Sequence, residues 1–171
     1  TDYPTKVTSS GGRYAYKDDW QTPDTQVASF EFGNKGTITW EGRSCNNFPV
    51  EGSSRGFIIY GKNGSLVNLG GGDYKILDAK NKVVKEVKSE VAPDPNNTQS
   101  ANGNLDFYHF KNFVAAVRGE EKLTSPGEEA AKSGGRCHLA NIAERAGTEL
   151  NCDPKNGNIT KSETAMKLWQ R

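Results

Sequence analysis

The sequence predicts an α+β domain in which an open, mostly antiparallel β-sheet carries helices packed on one of its faces. Three observations lead there. About seven short runs of β-forming residues fill positions 1–87, most of them joined by tight turns, and tight turns make successive strands antiparallel neighbours. Two helical periodicities follow the strands instead of alternating with them, the order of an α+β chain and not of a parallel α/β one. The third observation is the stretch from Ser125 to Ala146, which reads as one helix with a face of small residues, suited to lie as a spine against the sheet.

Val7, Tyr14 and Tyr16 alternate loosely among serines in residues 1–16, giving a strand with a bulge or bend at Gly11-Gly12. Lys17 to Asp24 is a polar loop with one large aromatic, Trp20. Thr25 to Phe32 alternates as a strand, Gly33-Asn34-Lys35-Gly36 turns, and Thr37 to Trp40 pairs back. A long polar loop, 41–55, holds Arg43, Cys45 and Arg55, and leads into the β-forming run Gly56 to Tyr60. Lys62-Asn63-Gly64-Ser65 turns the chain into Leu66 to Leu69, and Tyr74 to Leu77 with Val83 to Val87 make a further hairpin. Residues 88–103 have the composition of a surface loop.

Asn104 opens a helix to Arg118 whose apolar stripe is Phe110, Phe113, Val114 and Val117. In the spine helix, Ser125 suits the N-cap, Pro126 the first turn, Glu128 the positive helix end, and Gly147 a C-terminal stop. Ala131, Gly135, Leu139, Ile142 and Ala146 share one face. Its two interior glycines cost about 1 kcal/mol each against alanine, a cost best tolerated where the backbone lies against a packed surface. Thr148 to Cys152 reads as one more strand and Ser162 to Trp169 as a short terminal helix.

The 171 residues suit one domain, 1–171. Hydrophobic content of 33% and a mean hydropathy of −0.77 are low for a self-sufficient globule, which predicts that further sequence or another subunit covers part of its surface. Two helices are too few to cover both faces of a wide sheet, so the open face is expected to be moderately polar and to pack on another copy. A net charge of +1 supplies no basic field for nucleic acid, and no apolar run approaches the roughly 20 residues of a membrane span. The sole methionine is Met166, so residue 1 is not a translation start and the chain is expected to be part of a longer protein. Cys45, Cys137 and Cys152 form no CxxC; they read as small packing residues in a reducing setting, with a disulfide or metal role as the alternative.

No G-x-G-x-x-G follows a strand, no G-x-x-x-x-G-K-[ST] occurs, and Gly70-Gly71-Gly72 reads as a turn or bulge between strands. His109 and His138 lie on separate helices without metal-ligand spacing and read as packing or capping residues, a place near a substrate being the alternative. No G-x-S-x-G supports a hydrolase. Asp18, Asp19 and Asp24 flank Trp20: the indole could stack on a sugar ring while the acids take its hydroxyls, or the loop could simply be solvated. Arg43 and Arg55 read as surface residues with the chemistry to hold a carboxylate or phosphate, and Trp40 as a core or interface anchor.

Four runs taken in order carry a family resemblance. They are Gly-Gly-Arg-Tyr-Ala-Tyr-Lys-Asp-Asp-Trp-Gln-Thr-Pro-Asp-Thr-Gln at 11–26, Gly-Phe-Ile-Ile-Tyr-Gly-Lys-Asn-Gly-Ser-Leu at 56–66, His-Phe-Lys-Asn-Phe-Val-Ala-Ala-Val-Arg-Gly at 109–119 and Cys-His-Leu-Ala-Asn-Ile-Ala at 137–143. Together they resemble the C-terminal domain of the Gfo/Idh/MocA oxidoreductases, relatives of glucose–fructose oxidoreductase and inositol dehydrogenase. The resemblance implies an N-terminal Rossmann domain, absent from these residues, that holds NAD or NADP. It implies hydride transfer on sugar- or polyol-like substrates, and a C-terminal sheet that shapes the substrate pocket and builds a homo-oligomer through its open face. The family's glycine fingerprint, Glu-Lys-Pro segment and aspartate–histidine motif are not in this chain, so no catalytic or cofactor-binding residue carries over. What carries over is a pocket edge at Lys17, Asp18, Asp19, Trp20 and Asp24, joined by Arg13. The rival expectation is a freestanding carbohydrate-binding or scaffold module using Trp20, Trp40 and Tyr60.

Overall fold

A computed structural model describes residues 2–88 and 105–169. Of the segment 88–103, expected as a surface loop, residues 89–103 lie outside the described residues, as does Asn104, expected to open the helix that follows. The fold is α+β, as expected, and the eight strands among the described residues divide into two four-stranded sheets, each fully antiparallel, where the sequence predicts one. The chain forms two compact units, residues 1–46 with 125–171, and residues 47–124.

The first unit holds β1 (Lys6–Gly12), β2 (Thr25–Glu31), β3 (Thr37–Arg43) and β8 (Leu150–Asn151), in the order β3-β2-β1-β8. The Gly33–Gly36 turn closes the β2–β3 hairpin, with Phe32 donating to the Gly36 carbonyl. The bulge expected at Gly11-Gly12 is not there: β1 and β2 pair without a break from Lys6↔Glu31 to Gly12↔Thr25. Gly11 is required for another reason, because a Cβ there would lie 2.5 Å from the Thr25 carbonyl oxygen.

Helix α2 (Gly127–Ala146) packs on β1 and, more lightly, on β2, and α3 (Glu163–Trp169) packs on α2. Val7, Ala28 and Phe30 come from the sheet, and Leu139, Ala140, Ile142 and Ala143 from the helix; Leu150, Cys152, Ile159 and Ala165 complete one core. The buried arc of α2 keeps Leu139 and Ile142 of the expected face, with Ala146 packed against the core, and adds Ala140 and Ala143, while Ala131 is exposed. Of the two interior glycines, Gly135 sits against the Tyr3 ring, 3.2 Å from where its Cβ would be, whereas Gly134 faces open space. The close approach is thus to a side chain at the start of the chain and not to strand backbone.

The ends of α2 are set differently. Pro126, extended at ψ 150°, is the N-cap in place of Ser125, and no side chain caps the helix there. Gly147 ends it at φ 60°, with Gly147 donating to Glu144 and Thr148 to Ala143, a Schellman closure that satisfies two orphan carbonyls. Ser162 caps α3 through its hydroxyl, which accepts from the Ala165 amide.

The second unit holds β4 (Phe57–Gly61), β5 (Gly64–Asn68), β6 (Tyr74–Asp78), β7 (Val83–Val87) and α1 (Leu105–Val117). Its sheet is a simple meander in chain order. Asn68 fastens the Gly70–Gly72 turn, giving its amide hydrogens to the Gly71 and Asp73 carbonyls and accepting from the Gly70 amide. An irregularity that the sequence did not signal falls between Ile76 and Leu77, where the β6–β7 register shifts. On α1, Asn112 is buried and ties the helix to the chain that follows, through Glu121, Lys122 and Thr124.

Replacing Leu139, fully buried between helix and sheet, with alanine is expected to cost about 3 kcal/mol of stability. Urea unfolding with an unchanged m-value checks it.

Candidate functional site

The site is built at the end of the β1–β2 pair where the chain leaves Gly12 and returns at Thr25. Asp24 organises it. Only 2% exposed, this residue has its carboxyl, amide and carbonyl groups all hydrogen-bonded, to the loop and to the strand ends around it. Oδ2 accepts from the Ala15 amide at 2.9 Å and the Tyr16 amide at 3.3 Å, and Oδ1 accepts from the Thr25 hydroxyl at 2.9 Å. Its own amide donates to the Gly12 carbonyl, and its carbonyl accepts from both the amide and the hydroxyl of Ser44. Burial pushes the Asp24 carboxyl up, but the Ala15 amide, the Thr25 hydroxyl and the Tyr14 and Tyr16 amides together hold it below the ordinary carboxylate value.

Arg13 forms the second brace. Nη1 donates to the Thr22 carbonyl at 3.0 Å and Nη2 pairs with Asp18, while Nε is buried without a hydrogen-bond partner. The same Asp18 carboxylate accepts from the Trp20 amide. The Arg13 guanidinium lies 6.0 Å from the Tyr16 ring centre, at the outer limit of a cation–π contact. The loop between the braces displays Tyr14, Tyr16 and Trp20, the last 70% exposed.

Of the six residues singled out from the sequence, the fold brings Arg13, Asp18 and Asp24 together with Trp20 in one loop. Lys17 and Asp19 stand exposed on the same loop, with no hydrogen bond or ion pair among the described residues. Three neighbours escaped the sequence reading: Thr25, Ser44 and Cys45, whose sulfur lies 3.5 Å from the Thr25 hydroxyl. A signal for them existed. Counting register outward from the Gly33–Gly36 turn sets Thr25 opposite Arg43, which delivers Ser44 to Asp24.

The other candidates are scattered. His109 on α1 and His138 on α2 are both exposed rather than packed. Arg43 pairs with Glu41, and Arg55 is exposed. Trp40 on β3 and Tyr60 on β4 belong to different units. The three cysteines are free, and burial raises the Cys152 thiol to about 11. Among the described residues no cluster of histidine, cysteine and carboxylate side chains could hold a metal ion, and no helix is long and apolar enough to cross a membrane.

No family model matches the chain, and none of the curated proteins matches it. Solved structures do. An oxidoreductase from Agrobacterium radiobacter, in complex with NAD+, L-tartaric acid and magnesium, matches at TM-score 0.64 and 12% identity over 87% of this chain. The WlbA dehydrogenase from Bordetella pertussis, in complex with NADH and UDP-GlcNAcA, matches at TM-score 0.54 and 13% identity over 88%. An NAD-binding protein from Listeria innocua matches at TM-score 0.54 and 15% identity over 88%. The expected resemblance to Gfo/Idh/MocA-type oxidoreductases holds at the level of fold. This chain spans 43%, 39% and 46% of those three structures, so it corresponds to less than half of each oxidoreductase chain.

Asp24 titrates below its unfolded value, so its contribution to stability is complete above about pH 4 and is lost as pH falls through the lowered folded-state pKa. Asp24→Asn removes that dependence and sets an amide against the Ala15 and Tyr16 donors. The variant is expected to be less stable than the parent at neutral pH, the two converging in strong acid; urea midpoints measured across the acid range check it.

Proposed function

We propose that this chain is the substrate-side and assembly domain of an NAD(P)-dependent oxidoreductase acting on sugar- or polyol-like compounds. The coenzyme, NAD or NADP, belongs to a nucleotide-binding domain that these residues do not include. The observation that carries the reading is the shared fold with oxidoreductase structures, over nearly all of this chain and under half of theirs. The lack of a G-x-G-x-x-G fingerprint in the sequence agrees with it.

The pocket edge in this reading is the loop from Arg13 to Asp24. Trp20 offers an apolar ring to the face of a sugar-like substrate, and Lys17 and Asp19 have donors and an acceptor to spare for hydroxyl groups. Arg13, Asp18 and Asp24 act beneath them, holding the loop in place before substrate arrives. Such pre-ordering lowers the entropic cost of binding.

The assembly role draws support from the second unit. No residue of β4–β7 is buried. Phe57, Ile59, Leu66, Tyr74, Ile76 and Val87 share one face by register, with Phe57 and Ile59 more than half exposed. An apolar face of this kind is stabilised by cover, and a second copy of the chain is the cover proposed.

Two measurements test the reading. The chain alone is expected to leave NADH fluorescence unchanged at millimolar coenzyme; saturable binding would contradict the assignment of the coenzyme to another domain. In sedimentation the chain is expected to self-associate, and Ile59→Lys to shift it towards monomer while keeping its circular dichroism; a strict monomer at all concentrations removes the assembly role.

A further inference from the structure

In the first unit, α2 and α3 enclose a groove of about 400 Å³, within the usual size range of small-molecule sites. It is remote in sequence from the Arg13–Asp24 loop and plays no part in the reading above. Ile142 and Leu168 give it apolar walls, Trp169 adds an indole, and His138, Asn141 and Arg145 supply its polar groups. Among the described residues no acidic side chain lines it.

We propose that this groove binds a small organic oxyanion with a flat apolar body, a carboxylate or a phosphate monoester. Three features converge on that class. His138, Asn141 and Arg145 follow one another at spacings of three and four along α2, so they stand on one side of the helix. None of the three side chains has a hydrogen bond or ion pair among the described residues, so none of those residues occupies the Arg145 donor fork. A guanidinium fork matches the paired oxygens of a carboxylate or phosphate, and an amide donor nearby adds to the grip.

The apolar part of the ligand follows from the remaining walls. The indole of Trp169 donates to Asn158 Oδ1 at 3.3 Å, which anchors the ring at its nitrogen. A ring held in that way offers a face for stacking without paying for its own ordering on binding. Ile142, buried in the core side of α2, gives the groove a fixed floor. A bare inorganic anion would leave those walls wet, and a neutral aryl compound would leave Arg145 unpaired. The chemistry that uses both is an aryl or similarly flat group carrying one oxyanion.

Titration of the whole chain with benzoate, phenyl phosphate and neutral benzyl alcohol tests this, followed by ¹H–¹⁵N spectra in which Trp169→Phe identifies the Trp169 indole signal. At least one of the two anions is expected to shift that signal saturably, with a dissociation constant in the millimolar range. Preference for benzoate assigns the carboxylate and preference for phenyl phosphate the phosphate ester. Arg145→Met, which keeps the apolar stem and alters an exposed position, is expected to weaken binding about tenfold or more while the rest of the spectrum is retained. The proposal is overturned if neither anion gives a saturable shift, if Arg145→Met binds as tightly as the parent, or if benzyl alcohol binds as well as the anions.

Discussion

The contact between α2 and β1 is the constraint from which the first unit is built. Leu139 and Ala143 are wholly buried, as are Val7 near the start of β1 and Leu150 of β8. Everything else in that unit takes its place from this seam. β8 adds to β1 through only two residue pairs, and α3 rests on α2 with Ala165 buried. A seam of small residues lets a helix approach a sheet closely, and close packing gives dispersion contacts that a gap would forfeit. The Schellman closure at Gly147 then turns the chain sharply enough for Leu150 to return beneath the same helix.

With the β1–β2 pair held by that seam, its far end becomes a platform. A connection of this length, exposed and rich in polar residues, has no reason of its own to adopt one conformation. Asp24 supplies the reason by collecting amides from three successive residues, 14 to 16, and Arg13 does so by bridging the Thr22 carbonyl and Asp18. The Asp24 bonds are half-buried hydrogen bonds to a charged group, the kind worth most when satisfied, whereas the Arg13 bonds lie at the surface. Order in the loop is thereby transmitted from the helix–sheet seam to Tyr14, Tyr16 and Trp20, which face solvent.

The second unit follows a different logic. Its meander is held by hairpin pairing and by local ties such as Asn68 across the glycine turn, and among the described residues no side chain of its strands is buried. The apolar side chains of these strands are half-exposed or exposed. The aromatic side chains of α1, with Phe107, Phe110 and Phe113 all exposed, belong to the same picture. Hydrophobic surface of this extent on a unit of such modest size argues for cover.

Much of this was written in local sequence. Period-two runs and glycine turns located seven strands, five of them with ends within two residues, while β1 proved shorter than the expected 1–16 and β3 longer than 37–40. Gly147 and the small-residue face announced α2, because both signals act over a single turn or a single strand pair. The sequence also placed Asp18, Trp20 and Asp24 in one loop, and the structure adds Arg13, which the sequence assigned to the preceding strand. Only the tertiary structure decided how the strands divide between two sheets, since pairing between hairpins depends on contacts that no local pattern encodes. It moved the helix cap from Ser125 to Pro126, put Tyr3 rather than strand backbone beside Gly135, and kept Gly11-Gly12 in an unbroken ladder. It decided as well that Asp24 is buried and Trp20 exposed: the two differ in what surrounds them, and those surroundings, Ser44 above all, arrive from residues twenty positions away.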